Sequence, residues 1–161
     1  MKPRFNTLKK HHYSSHKGQS NYLNGDDLYL SIGYNINNLV KQNPGYENTC
    51  AVRMSLALLA AGIRYSGRLK IKDGPYKGKM IESGAKLLAD QLIQSIGKPQ
   101  IFREPAKLKK QIWNKRGIVF FSKIVGYGGG HIDLIESDNS NPVCHSNCYF
   151  ACEEIWFWEL T

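Results

Sequence analysis

The sequence contains no apolar run that approaches the ~20 residues needed for a membrane-spanning helix. Its opening segment, residues 1–10, is basic but is not followed by an apolar stretch, so we expect no secretory signal peptide and no membrane insertion. The 161 residues also show no internal repeat and no linker. We therefore expect a single domain over residues 1–161, in which the polar residues 1–25 form either an N-terminal arm or a short surface helix.

Acidic residues are scarce: 13 Asp and Glu stand against 22 Lys and Arg, which gives a formal net charge of +9. A balance of this size favours polyanionic partners such as nucleic acid, anionic membrane surfaces or a charged cell wall. The basic residues are mostly scattered, however, and neither a zinc-finger spacing nor an Arg-rich tract accompanies them. We expect no nucleic-acid partner, and a non-enzymatic nucleic-acid-binding module remains the alternative from another class.

Only four cysteines are present, and three of them lie close together as Cys144, Cys148 and Cys152, with His145 between the first two. These residues could bind zinc, but the usual C-x-x-C spacing is absent. In an oxidising compartment a disulfide is the better interpretation. We expect no metal and no cofactor.

The fourth cysteine, Cys50, lies where a polar loop becomes a helix-forming run that ends near Gly62. Asn48 or Thr49 can serve as the N-cap. A thiol in the first helical turn faces unpaired backbone N–H groups and the positive end of the helix dipole. Both favour the thiolate, which is the nucleophilic form.

A histidine far downstream, His131, follows a glycine run and starts an apolar strand. The glycines leave its surroundings open to a substrate backbone. A cysteine at the start of a helix and a histidine on a later strand are the parts of a papain-like hydrolase, in which the imidazole takes the thiol proton and returns it to the leaving amine. The same pair would serve an acyltransferase or transglutaminase-like enzyme if an amine replaced water.

The remaining pattern predicts an α+β fold with N-terminal helices and an antiparallel sheet. An amphipathic helix is expected over residues 82–96 and a shorter one over residues 105–113. Buried strands are expected at residues 118–121, from His131 onwards, and at residues 155–158.

Two motifs resemble the type VI secretion amidase effector family 4. The segment Asn48-Thr49-Cys50-Ala51-Val52-Arg53-Met54-Ser55 is similar to its N-x-C-x-[IV]-R-M-S pattern. Gly130-His131-Ile132-Asp133-Leu134 is similar to its G-H-[IV]-x-L strand. The opening residues and the pair Cys144…Cys148 also resemble the family, so the similarity covers essentially the whole chain.

This resemblance implies an NlpC/P60-like, papain-related amidase that a type VI apparatus delivers from the producer cytoplasm into the periplasm of target bacteria. There it would act as an antibacterial toxin, hydrolysing the amide between D-glutamate and meso-diaminopimelate in peptidoglycan stem peptides. A cognate immunity protein in the producing cell is implied as a partner. The resemblance also implies a disulfide between Cys144 and Cys148.

The residue that orients His131 is open at the level of sequence. The family has an Asp between its paired cysteines, and the aligned position here is Ser146. Asp133 is the preferred candidate, because residues two apart on a strand face the same side and a carboxylate stabilises imidazolium. Asn147 is the alternative, as in papain-like enzymes with an Asn. A Cys50–His131 dyad without a third member is also compatible with the sequence.

Overall fold

A computed structural model describes all 161 residues and shows the expected α+β architecture. Six α-helices and one 3₁₀ turn (Pro44–Glu47) precede or flank the sheet. The helices are α1 (Phe5–His11), α2 (Gly25–Ser31), α3 (Ile36–Gln42), α4 (Cys50–Ala60), α5 (Ala85–Ile96) and α6 (Pro105–Gln111). The longest of them has 12 residues. No helix combines the length and hydropathy required to cross a bilayer.

Seven strands form two antiparallel sheets. They are β1 (Leu69–Lys70), β2 (Met80–Ile81), β3 (Gln100–Phe102), β4 (Arg116–Ile124), β5 (His131–Asp138), β6 (Asn141–Cys144) and β7 (Cys152–Glu159). β1 and β2 pair with each other, and the larger sheet has the order β3-β7-β4-β5-β6. The central strands of this sheet, β4, β5 and β7, are the three strands expected from the sequence. β4 and β7 extend beyond the apolar segments, residues 118–121 and 155–158, that predicted them.

The two faces of the larger sheet cover two separate cores because side chains alternate along each strand. On β4, Ile118 and Phe120 pack with α1, α4 and α5, whereas Val119 and Phe121 pack towards α6. On β5, Ile132 and Leu134 belong to the first core. The intervening positions place His131 and Asp133 on the opposite face, together with the buried Ile135.

Helix α4 lies at the centre of the molecule. Its residues 50–58 are all buried, because α1, α5 and the sheet pack on one side while α2, α3 and the β1–β2 hairpin pack on the other. At its end, Gly62 adopts a positive φ of 75°. Its N–H donates to the carbonyl of Leu59, and the N–H of Ile63 donates to that of Leu58, the two bonds of a Schellman motif. The predicted helix and its glycine stop are therefore confirmed.

The N-terminal segment packs into the domain. Of the arm and the short surface helix expected within residues 1–25, the structure shows a short helix, α1, with one face buried in the main core. Phe5 and Leu8 of α1 lie in the main core and are at most 1% exposed. His12 and Ser14 are also buried. The segment is polar in sequence because only one face of α1 is apolar. A short helix that packs with one face needs few apolar residues, spaced about three or four apart.

Candidate active site

Cys50 occupies the first position of α4, so its backbone N–H has no partner within the helix. That N–H donates instead to Oδ1 of Asn48, at 3.2 Å. Thr49 is the N-cap residue by position, but its side chain does not cap the helix and accepts a hydrogen bond from Nε of Arg53 at 2.8 Å. Cys50 is buried and its thiol is free. The cysteine thus lies where the peptide dipoles of an eleven-residue helix stabilise a negative charge.

His131 opens strand β5 and is only 8% exposed. Its Nε2 lies 2.9 Å from Oδ2 of Asp133, so Nδ1 is the ring nitrogen that the carboxylate does not contact. Burial alone would lower the pKa of His131, but hydrogen bonding to Asp133 and Cys50, together with their negative charge, raises the pKa to about 10. The imidazolium is therefore the stable form between two acidic partners.

Asp133 is completely buried and accepts hydrogen bonds on both carboxylate oxygens. Besides His131, the donors are three backbone N–H groups: Leu134 at 2.8 Å, Ser146 at 3.0 Å and Asn147 at 3.0 Å. Burial would raise the pKa of Asp133, but the hydrogen bond and positive charge of His131 hold the pKa below its usual value. The carboxylate is therefore ionised and held in one orientation.

The two candidates for the third residue differ in their contacts. Asp133 contacts the His131 ring, whereas Asn147 contributes a backbone N–H to Asp133 and no side-chain hydrogen bond to His131. Ser146, at the position where the family has an Asp, donates its N–H to Asp133 and accepts a hydrogen bond on Oγ from the N–H of Ser15 at 3.0 Å. Asp133 and the loop of residues 145–147 thus belong to one hydrogen-bonded unit.

A disulfide between Cys144 and Cys148 closes this loop, which confirms the expected pairing. Because both sulfurs are in the disulfide, they are not available as zinc ligands. Cys152 is a half-buried free thiol. The disulfide fixes the ends of the three-residue segment whose N–H groups hold Asp133.

Breaking the disulfide should therefore loosen Asp133 as well as the loop. We expect the double variant Cys144→Ser/Cys148→Ser to unfold more easily by about 2 kcal/mol, the chain-entropy estimate for so short a loop. We also expect the rate of any reaction that depends on His131 to fall by roughly tenfold to a hundredfold, because Asp133 would be misplaced relative to the ring. Urea unfolding and turnover measurements test this, with Cys152→Ser as the matched control. A double variant with unchanged turnover would show that the loop holds Asp133 without the disulfide.

A cleft of about 630 Å³ opens beside these residues. Its lining comprises Pro44, Gly45, Glu47, Asn48, Ile124, Tyr127, Gly130, His131 and Tyr149. The rings of Tyr149 and His131 meet edge to face, with centroids 4.8 Å apart. Glu47 is the one acidic residue in the lining and forms no ion pair. A ligand in this cleft would touch the imidazole, an aromatic wall and a free carboxylate.

Asn48 bridges the two sides of this cleft. Its Oδ1 accepts from the N–H of Cys50, while its Nδ2 donates to the hydroxyl of Tyr127 at 2.7 Å and faces the carbonyl of Gly130 at 3.5 Å. Tyr127 and Gly130 belong to the glycine-rich loop that precedes His131. The predicted open surroundings of His131 are thus spanned by a side-chain bridge that the motif alone does not indicate.

Two further residues of the cysteine motif have structural partners. Arg53 is buried and donates from Nη1 to the carbonyls of Tyr13 and Leu23, at 3.2 and 2.7 Å. Ser55 exchanges hydrogen bonds with the backbone of Glu82. These contacts tie α4 to the N-terminal segment and to the end of β2.

Comparison with known proteins identifies the family. The sequence matches the family described as "Type VI secretion system (T6SS), amidase effector protein 4" over residues 46–158. Comparison with curated proteins gives no significant match.

Solved structures show the same fold. The type VI effector Tae4 from Enterobacter cloacae has a TM-score of 0.72 at 21% identity, with 100% of this chain and 98% of that chain covered. A chain of the effector–immunity complex Tae4–Tai4 from Salmonella Typhimurium has a TM-score of 0.70 at 25% identity, with 100% of this chain and 100% of that chain covered. The match covers both candidate catalytic motifs, and it shows that this chain belongs to the type VI secretion system amidase effector protein 4 family.

Proposed function

We propose that the chain is a cysteine amidase that cleaves the D-glutamate–meso-diaminopimelate amide of peptidoglycan stem peptides. The observation that carries the proposal is the arrangement of Cys50 at the start of α4, His131 beside it and Asp133 behind His131. This is the order of nucleophile, base and orienting residue that papain-like cysteine hydrolases use. Family membership gives the reaction class, and the geometry supports the assignment of roles.

The reaction would begin with attack of the Cys50 thiolate on the amide carbonyl. The imidazolium of His131 would protonate the leaving amine, and the neutral imidazole would then activate water to release the acyl group. Asp133 would hold the ring orientation through both steps. The ring is charged in the resting state, because its pKa is raised to about 10.

The carbonyl oxygen of the substrate would take the place of Asn48 Oδ1 on the N–H of Cys50. That N–H is at the helix start and points at the position where negative charge develops in the tetrahedral intermediate. One donor of this kind is typically worth ~3 kcal/mol of barrier. The resting hydrogen bond at 3.2 Å is long enough to be exchanged for a charged acceptor without a large loss.

The charge of the molecule and of the cleft supports a peptidoglycan substrate. The net charge of +9 would hold the protein near a polymer that carries stem-peptide carboxylates. Glu47 would pair with the ammonium group at the far end of diaminopimelate. That ammonium group distinguishes diaminopimelate from an amino acid with an uncharged side chain. The basic surface would attract the peptidoglycan polymer, and the Glu47 carboxylate would favour diaminopimelate among its residues.

We propose further that the chain acts in the periplasm of target bacteria and binds a cognate immunity protein in the producing cell. The Salmonella Typhimurium and Enterobacter cloacae relatives were solved as complexes with the immunity protein Tai4. Type VI delivery accounts for how the protein leaves the producer.

Digestion of purified peptidoglycan tests the reaction. Incubation with sacculi that contain meso-diaminopimelate should release fragments cut after D-glutamate, each cut exposing one diaminopimelate amine detectable by mass analysis. Addition of an ordinary primary amine such as glycinamide separates hydrolysis from transfer, since an acyltransferase would give mainly amine adducts whereas a hydrolase would still give mainly free acids. Absence of any cut, together with salt-sensitive binding to DNA, would instead support the nucleic-acid alternative.

A further inference from the structure

A pair of buried histidines lies behind the candidate active site. His12 follows α1 and is 1% exposed, while His145 lies in the disulfide-closed loop and is 6% exposed. Their Nδ1 atoms are 2.7 Å apart, and the ring centroids are 4.9 Å apart. The cysteine amidase chemistry proposed above uses neither residue.

The other ring nitrogen of His12 faces the carboxylate. Nε2 lies 3.9 Å from Oδ1 of Asp133 and has no hydrogen-bond partner. A buried polar atom without a partner is costly, so its presence calls for a physical reason. The distance is too long for a hydrogen bond, but in a buried site an N–H dipole aimed at a carboxylate stabilises its negative charge.

The contact between the two histidines determines where the protons lie. Two Nδ1 atoms at 2.7 Å require one to carry a hydrogen and the other a lone pair. Burial keeps His12 neutral: its pKa is lowered to about 3 by desolvation, with His145, Arg53 and His131 adding to the effect against the attraction of Asp133. A neutral His12 that presents N–H to Asp133 must therefore accept at Nδ1, and His145 must donate.

We propose that His12 is a positioning residue of the reaction, whose neutral ring directs Nε2–H at Oδ1 of Asp133, while His131 contacts Oδ2. His145 fixes this tautomer by donating from its own Nδ1. The inference rests on the proposed function, in which Asp133 orients His131. It adds a chain of contacts in which each residue orients its neighbour, from His145 through His12 and Asp133 to His131.

The neutrality of His12 is essential to this arrangement. The groups that face it are Asp133, His145, Arg53 and His131. A protonated His12 would be a second cation beside Asp133 and would compete with His131 for the carboxylate. The Arg53 guanidinium, held by the carbonyl of Tyr13 next to His12, opposes such protonation.

The test compares His12→Phe, which keeps the ring volume but removes both nitrogens, with His12→Gln, which can still donate. We expect His12→Phe to lower kcat by about tenfold with little change in KM, as for other positioning residues. The acid limb of its pH–rate profile should move to higher pH by about half a unit or more, since Asp133 loses a stabilising dipole. His12→Gln should recover part of both effects. The exposed neighbour His11, changed to Phe, is the matched control.

A correctly folded His12→Phe variant with wild-type kcat and pH profile would overturn the inference. If that variant does not fold, imidazole nitrogen resonances of the wild-type protein decide the matter. We expect His12 to be protonated at Nε2 and His145 at Nδ1, and a proton on Nδ1 of His12 would also overturn the inference. The resonances require no turnover, so this result is distinct from a failure of the proposed amidase reaction.

Discussion

Replacing Cys50 by alanine should abolish peptidoglycan hydrolysis while leaving the fold intact. In the proposed reaction the thiol forms the acyl intermediate, and loss of a nucleophile typically lowers kcat by about 10³-fold or more. Alanine is small and favours the helix, so the buried position should accept it. Mass analysis of digested sacculi gives the activity, and circular dichroism with thermal unfolding gives the fold.

The other free thiol supplies the matched control for this experiment. Cys152 is half-buried on β7 and donates only a weak hydrogen bond to the carbonyl of Glu154. Cys152→Ala should therefore retain wild-type turnover. Iodoacetamide should inactivate the wild type and the Cys152 variant alike. Substantial turnover by Cys50→Ala would disprove the assignment of the nucleophile.

Local signals explain why the surroundings of Cys50 and His131 could be predicted from sequence. A helix that is buried on all sides is a run of apolar helix formers, and a positive-φ glycine ends it. The His131 strand follows a glycine run and alternates between two cores. Both features depend on neighbouring residues, which is the information that a single sequence contains.

The bridge of Asn48 to Tyr127 and the pairing of His12 with His145 could not be predicted in the same way. The first joins residues 79 positions apart, and the second joins residues 133 positions apart. The first contact depends on how the start of α4 packs against the glycine-rich loop, and the second on how the N-terminal segment packs against the disulfide-closed loop. The only local signal was the spacing of Phe5 and Leu8, which fits one face of a short helix and indicates that the segment is packed.

The third residue shows where family resemblance and local reasoning diverge. The aligned position, Ser146, has no carboxylate, yet its backbone N–H still holds one. The carboxylate that contacts the His131 ring belongs to Asp133 on the strand, two residues after His131. Strand alternation alone was enough to place Asp133 and His131 on one face, whereas the loop donors required the fold.

The roles of His131, Asp133 and Asn147 should differ sharply in mutants. His131→Ala should be inactive, because neither the thiol proton nor the leaving amine has another partner. Asp133→Asn should lower kcat by about 10²- to 10⁴-fold with little change in binding, as for the loss of an orienting carboxylate in other triads. Asn147→Ala should be close to wild type, since its backbone N–H, the group that contacts Asp133, is retained.

The pH dependence gives an independent measure of the Asp133 role. The carboxylate helps to raise the pKa of His131 to about 10, so the protonated ring persists until the pH rises through that value. Asparagine removes the negative charge and therefore lowers the pKa of His131, which should move the alkaline limb of the kcat profile to lower pH. If Asn147→Ala lost most of its activity while Asp133→Asn kept the wild-type rate, Asn147 and not Asp133 would orient the histidine. An unshifted alkaline limb in Asp133→Asn would show that the Asp133 charge does not act on the reacting ring, whatever the contact of 2.9 Å suggests.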